Sequence, residues 1–124
     1  MTLILIGTGV AFDLTLSGID ELEKCDESYI ETYTNLIEEQ KITSLESMIG
    51  KKITKLGRND VESNFLINKA KNISVALLIP GDPLIATTHV SLVVDARNAK
   101  IPIKIIHNSS VYTAAAGKAG KATF

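Results

Sequence analysis

The sequence predicts an α/β domain: a mostly parallel, open sheet with helices on both faces. Three observations carry that expectation. Several apolar runs contain no polar residue, the pattern of strands covered on both sides. These runs alternate with segments of helical period, as in chained βαβ units. No Asn-Gly hairpin signal joins one run to the next, so the strands are expected to be linked by crossovers.

Leu3–Ile6, closed by Gly7, reads as the first strand. Leu16, Ile19 and Leu22 then recur every three residues among Asp20, Glu21, Glu23 and Lys24. That spacing predicts an amphipathic helix with Thr15 as N-cap. Ser28–Thr34 carries Tyr29, Ile30 and Tyr33 and reads as a strand. Residues 35–50 are polar and mixed; they predict a short helix ending at Gly50. Ile53–Leu56 suits a brief strand. Asn59 or Asp60 is expected to cap a helix reaching Lys71, with Val61, Phe65, Leu66 and Ala70 facing inward. Ser74–Ile79 is the strongest strand signal, stopped by Pro80-Gly81-Asp82-Pro83. A helix is expected from Thr87 to Ala99, a strand over Ile101–Ile106, and a loop at His107-Asn108-Ser109-Ser110. An Ala-rich helix over Val111–Ala116, ended by Gly117, completes the reading.

A chain of 124 residues, 45% hydrophobic and 22% charged, is of ordinary size and composition for one globular domain. The net charge of −1 excludes a broad electrostatic attraction to nucleic acid or to anionic membranes. Lys51, Lys52, Lys55 and Arg58 form the sole basic cluster and read as a solvated face. One cysteine, Cys25, permits no intrachain disulfide; a reducing compartment fits. On its helical pattern Cys25 reads as a small buried apolar group. The opening apolar run is too short for a signal segment, and no run approaches the roughly 18 residues of a membrane span. A cytoplasmic location is therefore expected. The Gly-punctuated stretch Gly117–Phe124 reads as a loop leading onward, so residues 1–124 are expected to be a fragment of a longer protein.

In open parallel sheets, ligands bind outside the carboxyl ends of the strands. Three segments share that address: Gly7-Thr8-Gly9-Val10, Pro80-Gly81-Asp82-Pro83 and His107-Asn108-Ser109-Ser110. The first departs from the dinucleotide fingerprint, because Phe12 stands where a third glycine would allow a helix to pack closely on the strand. A tight turn also explains its two glycines. Asp82, held extended by Pro83, suits a ribose or an ammonium group, and equally an Asx turn onto its own backbone. Ser109 and Ser110 suit an anionic or acceptor group, or a plain helix cap. His89 and His107 share no ligand spacing with each other, with Cys25 or with a carboxylate, so no metal site is expected.

In this order the loops resemble a known family. Leu5-Ile6-Gly7-Thr8-Gly9 followed by Asp13-Leu14-Thr15-Leu16-Ser17-Gly18 is similar to the start of the class III, tetrapyrrole-methylase-like methyltransferases. Within that group, three stretches resemble the diphthine synthases: Cys25-Asp26 with Tyr29, Glu31, Tyr33 and Thr34; Arg58-Asn59-Asp60-Val61-Glu62; and above all Pro80 to His89. Ile106 to Tyr112 and Ala114 to Gly117 continue the likeness, so it spans essentially the whole chain. The resemblance implies a two-domain homodimer that binds S-adenosyl-L-methionine between its domains. Its substrate would be the 3-amino-3-carboxypropyl chain on a histidine of translation elongation factor 2. Archaeal members add three methyl groups; eukaryotic ones also form a methyl ester. Cofactor contacts carry over onto Val10, Asp82, Ile85, Ser110 and Val111. Half a cofactor site predicts that the isolated domain is inactive. No residue reads as a general base, and none is assigned a catalytic role. Two alternatives stay open: a related methyltransferase acting on a tetrapyrrole or ribosomal RNA, and a non-catalytic nucleotide-binding or interaction domain.

Overall fold

The structure, a computed structural model, describes residues 1–9, 14–31, 39–79 and 89–108. The elements run β1 (Leu3–Gly7), α1 (Leu16–Lys24), β2 (Glu27–Glu31), α2 (Glu39–Ile49), β3 (Ile53–Leu56), α3 (Arg58–Glu62), α4 (Phe65–Ala70), β4 (Val75–Ile79), α5 (His89–Asn98) and β5 (Ile103–Ile106). The five strands form one sheet in the order β3-β2-β4-β1-β5, and every pairing is parallel. The expected α/β architecture is what the chain adopts.

Side-chain alternation divides the core into two layers. Leu3, Leu5, Val75, Leu77 and Ile79 point to one face, where Leu66, Ile67 and Ala70 of α4 and Leu92, Val93 and Ala96 of α5 cover them. Ile4, Ile6, Ala76 and Leu78 point to the other, under Leu22 of α1 and Ile42, Leu45 and Ile49 of α2. All five residues of β1 and of β4 are buried. Both strands therefore tolerate no interior polar side chain, which is why they read as unbroken apolar runs. The chain steps from β1 through β2 to β3, then back to β4 and on to β5. Crossovers of a single right hand place the helices of the outward and return journeys on opposite faces.

Helix α1 starts as expected: Thr15 Oγ1 accepts from the Gly18 N–H at 3.1 Å. Gly18 itself corrects one expectation. A Cβ built there would lie 3.0 Å from Ile6 Cγ2, so α1 does pack closely on β1. The small residue that permits this stands at position 18, one helical turn inside α1, and not at position 12. The far end of α1 corrects another. Lys51 Nζ lies 3.1 Å from the Leu22 carbonyl and also reaches those of Glu23 and Cys25. Lys51 thus caps the negative end of α1; Lys52, Lys55 and Arg58 are exposed, as a solvated face requires. Cys25 is buried, its Sγ 3.1 Å from the Leu22 carbonyl and 3.2 Å from Ser28 Oγ.

Four further boundaries differ from expectation. Helix α2 runs eleven residues, longer than the short helix expected, and Gly50 closes it as expected, at φ +69°. The single helix expected to Lys71 is two, α3 and α4. Ser63 breaks it: its hydroxyl donates to the Asp60 carbonyl at 2.9 Å and accepts from the Phe65 N–H at 3.2 Å, competing with the helical bonds. The residue before α3 is Gly57, and Asp60 reaches back to its N–H at 3.4 Å. Strand β5 begins two residues late because Pro102 has no N–H to give, although its carbonyl accepts from Leu3 at 3.0 Å. Residues 32–34 of the expected second strand and the expected helix over 111–116 lie outside the described residues.

At the amino edge of the sheet, the Tyr29 hydroxyl donates to the Glu27 carboxylate, and Lys69 Nζ stands 3.3 Å from the same carboxylate. The Tyr29 ring meets Phe65 edge-on, with centroids 5.5 Å apart. Burial, and then the bond to Glu27, pushes the Tyr29 hydroxyl up to about 12. The Tyr29 bond holds Glu27 below the usual carboxylate range.

Two outcomes follow from this packing. Ile6 is fully buried and has little room to yield, so overpacking at Gly18 outweighs the gain in helix propensity. Gly18→Ala should lower stability by roughly 1 kcal/mol and Gly18→Val by more, read from denaturant midpoints. A Gly18→Ala protein more stable than the parent would show that Ile6 does give way. The raised Tyr29 value sets an alkaline limit. Its contribution is complete below pH 10, where unfolded tyrosine is still protonated, and is lost as pH rises towards 12. Thermal unfolding between pH 9 and 12 should fall more steeply for the parent than for Tyr29→Phe; parallel curves would disprove the assignment.

Candidate functional site

The parallel topology sends every strand's carboxyl end to one edge, and three adjacent strands, β4, β1 and β5, deliver the three loops singled out in the sequence. The residues just past β1 are anchored on both sides. The Thr8 N–H donates to the Ile79 carbonyl at 2.9 Å, extending the β1–β4 ladder one residue past its last Cα pair, Gly7 with Ile79. Thr8 is 1% exposed, and its hydroxyl lies 3.4 Å from the Ile79 carbonyl and 3.3 Å from that of Gly9. On the other flank, Asn108 Nδ2 donates to the Gly7 carbonyl at 3.2 Å. Gly9 turns the chain at φ +72°, a conformation that favours glycine. One strand further along, Glu31 ends β2 with a fully buried side chain.

Val10, Asp82, Ile85, Ser110 and Val111, the residues chosen from the sequence, all lie outside the described residues. What is described are the stems from which they depart. Val10 comes directly after Gly9; Asp82 and Ile85 come after the end of β4; Ser110 and Val111 come after Asn108. These stems lie side by side on neighbouring strands. Thr8, Asn108 and Glu31 are the groups that sequence reasoning passed over. A threonine between two glycines, at the end of a strand buried on both faces, has to bond inward. That signal was available for Thr8; the reach of Asn108 depends on β5 lying next to β1, which no local pattern states.

The described grooves open elsewhere. One of about 410 Å³ is lined by Glu27, Phe65, Asn68, Lys69, Asn72 and Ile73, and one of about 350 Å³ lies over the starts of β2 and β3. In the first, the Glu27 carboxylate is engaged by Lys69 and by the Tyr29 hydroxyl. Among the described residues, no three His, Cys, Asp or Glu side chains come together to hold a metal ion. No helix there is long and apolar enough to cross a membrane. His107, beyond β5, is exposed, and α5 begins at His89. Among the described residues, the carboxyl edge offers the Gly7, Thr8 and Gly9 backbone, the Asn108 amide and, one strand further along, the buried Glu31.

Comparison with known proteins agrees with this geometry. The model of the family described as Tetrapyrrole (Corrin/Porphyrin) Methylases matches residues 2–122. The chain is 40% identical to the diphthine synthase of Methanothermobacter thermautotrophicus, over 95% of this chain and 46% of that protein. It is 42% identical to the diphthine methyl ester synthase of Schizosaccharomyces pombe, over 89% of this chain and 40% of that one. A crystal structure of a diphthine synthase superposes with a TM-score of 0.88 at 37% identity, covering 97% of this chain and 49% of the other. The chain therefore spans about half the length of the curated relatives it matches. With a family match running from Thr2 to Ala122 and a five-stranded parallel sheet shared with a diphthine synthase, the chain belongs to the tetrapyrrole (corrin/porphyrin) methylase family.

Proposed function

We propose that this chain is the N-terminal domain of a diphthine synthase, a methyltransferase that uses S-adenosyl-L-methionine. Its substrate is the amino group of a 3-amino-3-carboxypropyl chain carried by a histidine of translation elongation factor 2, and the product is diphthine. The observation that carries this reading is the similarity to diphthine synthases and diphthine methyl ester synthases, 36–42% identical over 88–97% of the chain. The protein is proposed to act in the cytoplasm as a homodimer, with the cofactor between this domain and a second one.

The carboxyl edge fits such a cofactor. Gly9 keeps its turn free of a side chain, and the stems of three loops stand on adjacent strands. Val10, Asp82, Ile85, Ser110 and Val111 are proposed to hold it. When bound, the sulfonium supplies an electrophilic methyl carbon. The substrate amine, as the free base, would take that methyl group, with the thioether as leaving group and the amine proton lost to solvent; the part of this chain would be to hold and align the donor. Such a transfer requires alignment more than acid–base groups. Asp82 is assigned to the cofactor's ribose or ammonium group, and the residues after Asn108 to its polar end.

Two measurements test this reading in the full-length protein. Methyl transfer from labelled S-adenosylmethionine is expected onto elongation factor 2 bearing the aminocarboxypropyl group and not onto a uroporphyrinogen-type tetrapyrrole. The reverse preference would move the protein to another branch of the family. Asp82→Ala should weaken cofactor binding by about 1.5–3 kcal/mol, a tenfold to hundredfold rise in Kd by calorimetry, with thermal stability retained. Unchanged affinity would remove Asp82 from the site.

A further inference from the structure

We propose that Asn108 is a positioning residue of the cofactor site, whose side-chain amide ties the chain just after β5 to Gly7 at the end of β1. The inference rests on the cofactor reading given above.

The Cα pairing between β1 and β5 ends at Ile6 with Ile106. The next carbonyl of β1, that of Gly7, is met by the side chain of Asn108, at 3.2 Å. A primary amide has the donor geometry of a peptide N–H. Asn108 thereby adds one more rung to the ladder after the strand itself has ended. On the opposite flank of β1 the equivalent step is made by backbone, through the Thr8 N–H on the Ile79 carbonyl at 2.9 Å. β1 is therefore braced at the same level on both sides, by peptide towards β4 and by a peptide surrogate towards β5.

The difference between the two braces matters. β4 is buried along its whole length, whereas β5 is an edge strand whose residues are half-buried or exposed. Its carboxyl end has less packing to hold it, so one hydrogen bond there decides more. Val10 lies three residues after Gly7, and Ser110 two residues after Asn108. The bond thus joins the stems of two loops assigned to the same cofactor. Without it, backbone pairing still holds β5 on β1 as far as Ile106, but the chain just beyond loses its tie to Gly7. Cofactor binding then has to pay the ordering cost that the free protein had already met.

The residue type is specific. Aspartate at 108 would set a carboxylate oxygen against the Gly7 carbonyl, two acceptors facing each other. Alanine would simply leave the bond unmade. Both changes lie outside the two buried clusters that hold the fold.

The test uses the full-length protein and three variants: Asn108→Ala, Asn108→Asp and, as a control, Cys25→Ala. Cys25 is buried at the opposite edge of the sheet, before β2. Its truncation should lower stability without reaching the cofactor edge. Kd for S-adenosylhomocysteine and the KM for S-adenosylmethionine are measured well below every variant's Tm. Both Asn108 variants are expected to raise Kd about tenfold, with the effect in KM exceeding that in kcat. Cys25→Ala should leave Kd unchanged despite a lower Tm. Parent-like affinity in Asn108→Asp would overturn the proposal, as would a Kd that follows Tm across all three variants. A parent protein that binds neither cofactor nor product removes the cofactor reading and this inference together. A parent that binds alongside Asn108 variants that bind equally well removes this inference alone.

Discussion

A parallel sheet must be covered on both faces, and in this chain that requirement is met without exception along β1 and β4. Everything else is arranged around it. Two helices close one side and three the other. Polar side chains are driven to the strand ends, because a hydroxyl or carboxylate at mid-strand would be buried between two apolar layers. The buried polar residues observe this rule: Thr8 just past the end of β1, Glu31 at the end of β2 and Ser28 near its start. A sheet built this way can present chemistry only at its edges. Its amino edge is occupied by structural pairings such as Tyr29 with Glu27, which leaves the carboxyl edge for a ligand.

Much of this was legible in the sequence because burial writes itself into composition. A strand covered on both faces admits only apolar residues, so Leu3–Ile6 and Val75–Ile79 were unmistakable. Thr15 as a cap and Gly50 as a stop were legible for the same local reason: each answers to its own helix end. The features that escaped are those in which distant residues meet. Lys51 reads as one more surface lysine until β3 and α1 are brought together and its ammonium lands on the carbonyls of Leu22, Glu23 and Cys25. Gly18 reads as a poor helix residue until Ile6 is seen beneath it. The dinucleotide pattern directs attention to position 12, whereas the requirement is for a small residue wherever the helix crosses the strand.

The candidate site shows the same division. The strand ends from which its loops depart were legible from glycine and proline punctuation, and their common address came from parallel topology alone. The bonds that tie those strand ends together were not, since β1 lies between β4 and β5 only by virtue of the strand order. Val10, Asp82, Ile85, Ser110 and Val111 rest on family resemblance together with that address, and the described stems support the address.

The strand order has a consequence for how the chain comes to be folded. β1 is made first, yet neither of its neighbours is β2: Leu3 pairs with Val75 on one side and Ile103 on the other. Contacts so distant along the chain form slowly, because long loops must close before any pairing is gained. A nascent chain leaving the ribosome carries an unpaired, wholly apolar β1 until β4 has emerged, and a half-paired one until β5 arrives. β1, which ends up buried between β4 and β5, is thus exposed to aggregation for most of the time that this domain is being made. The Asn108 bond to the Gly7 carbonyl can form only after β5 has been made.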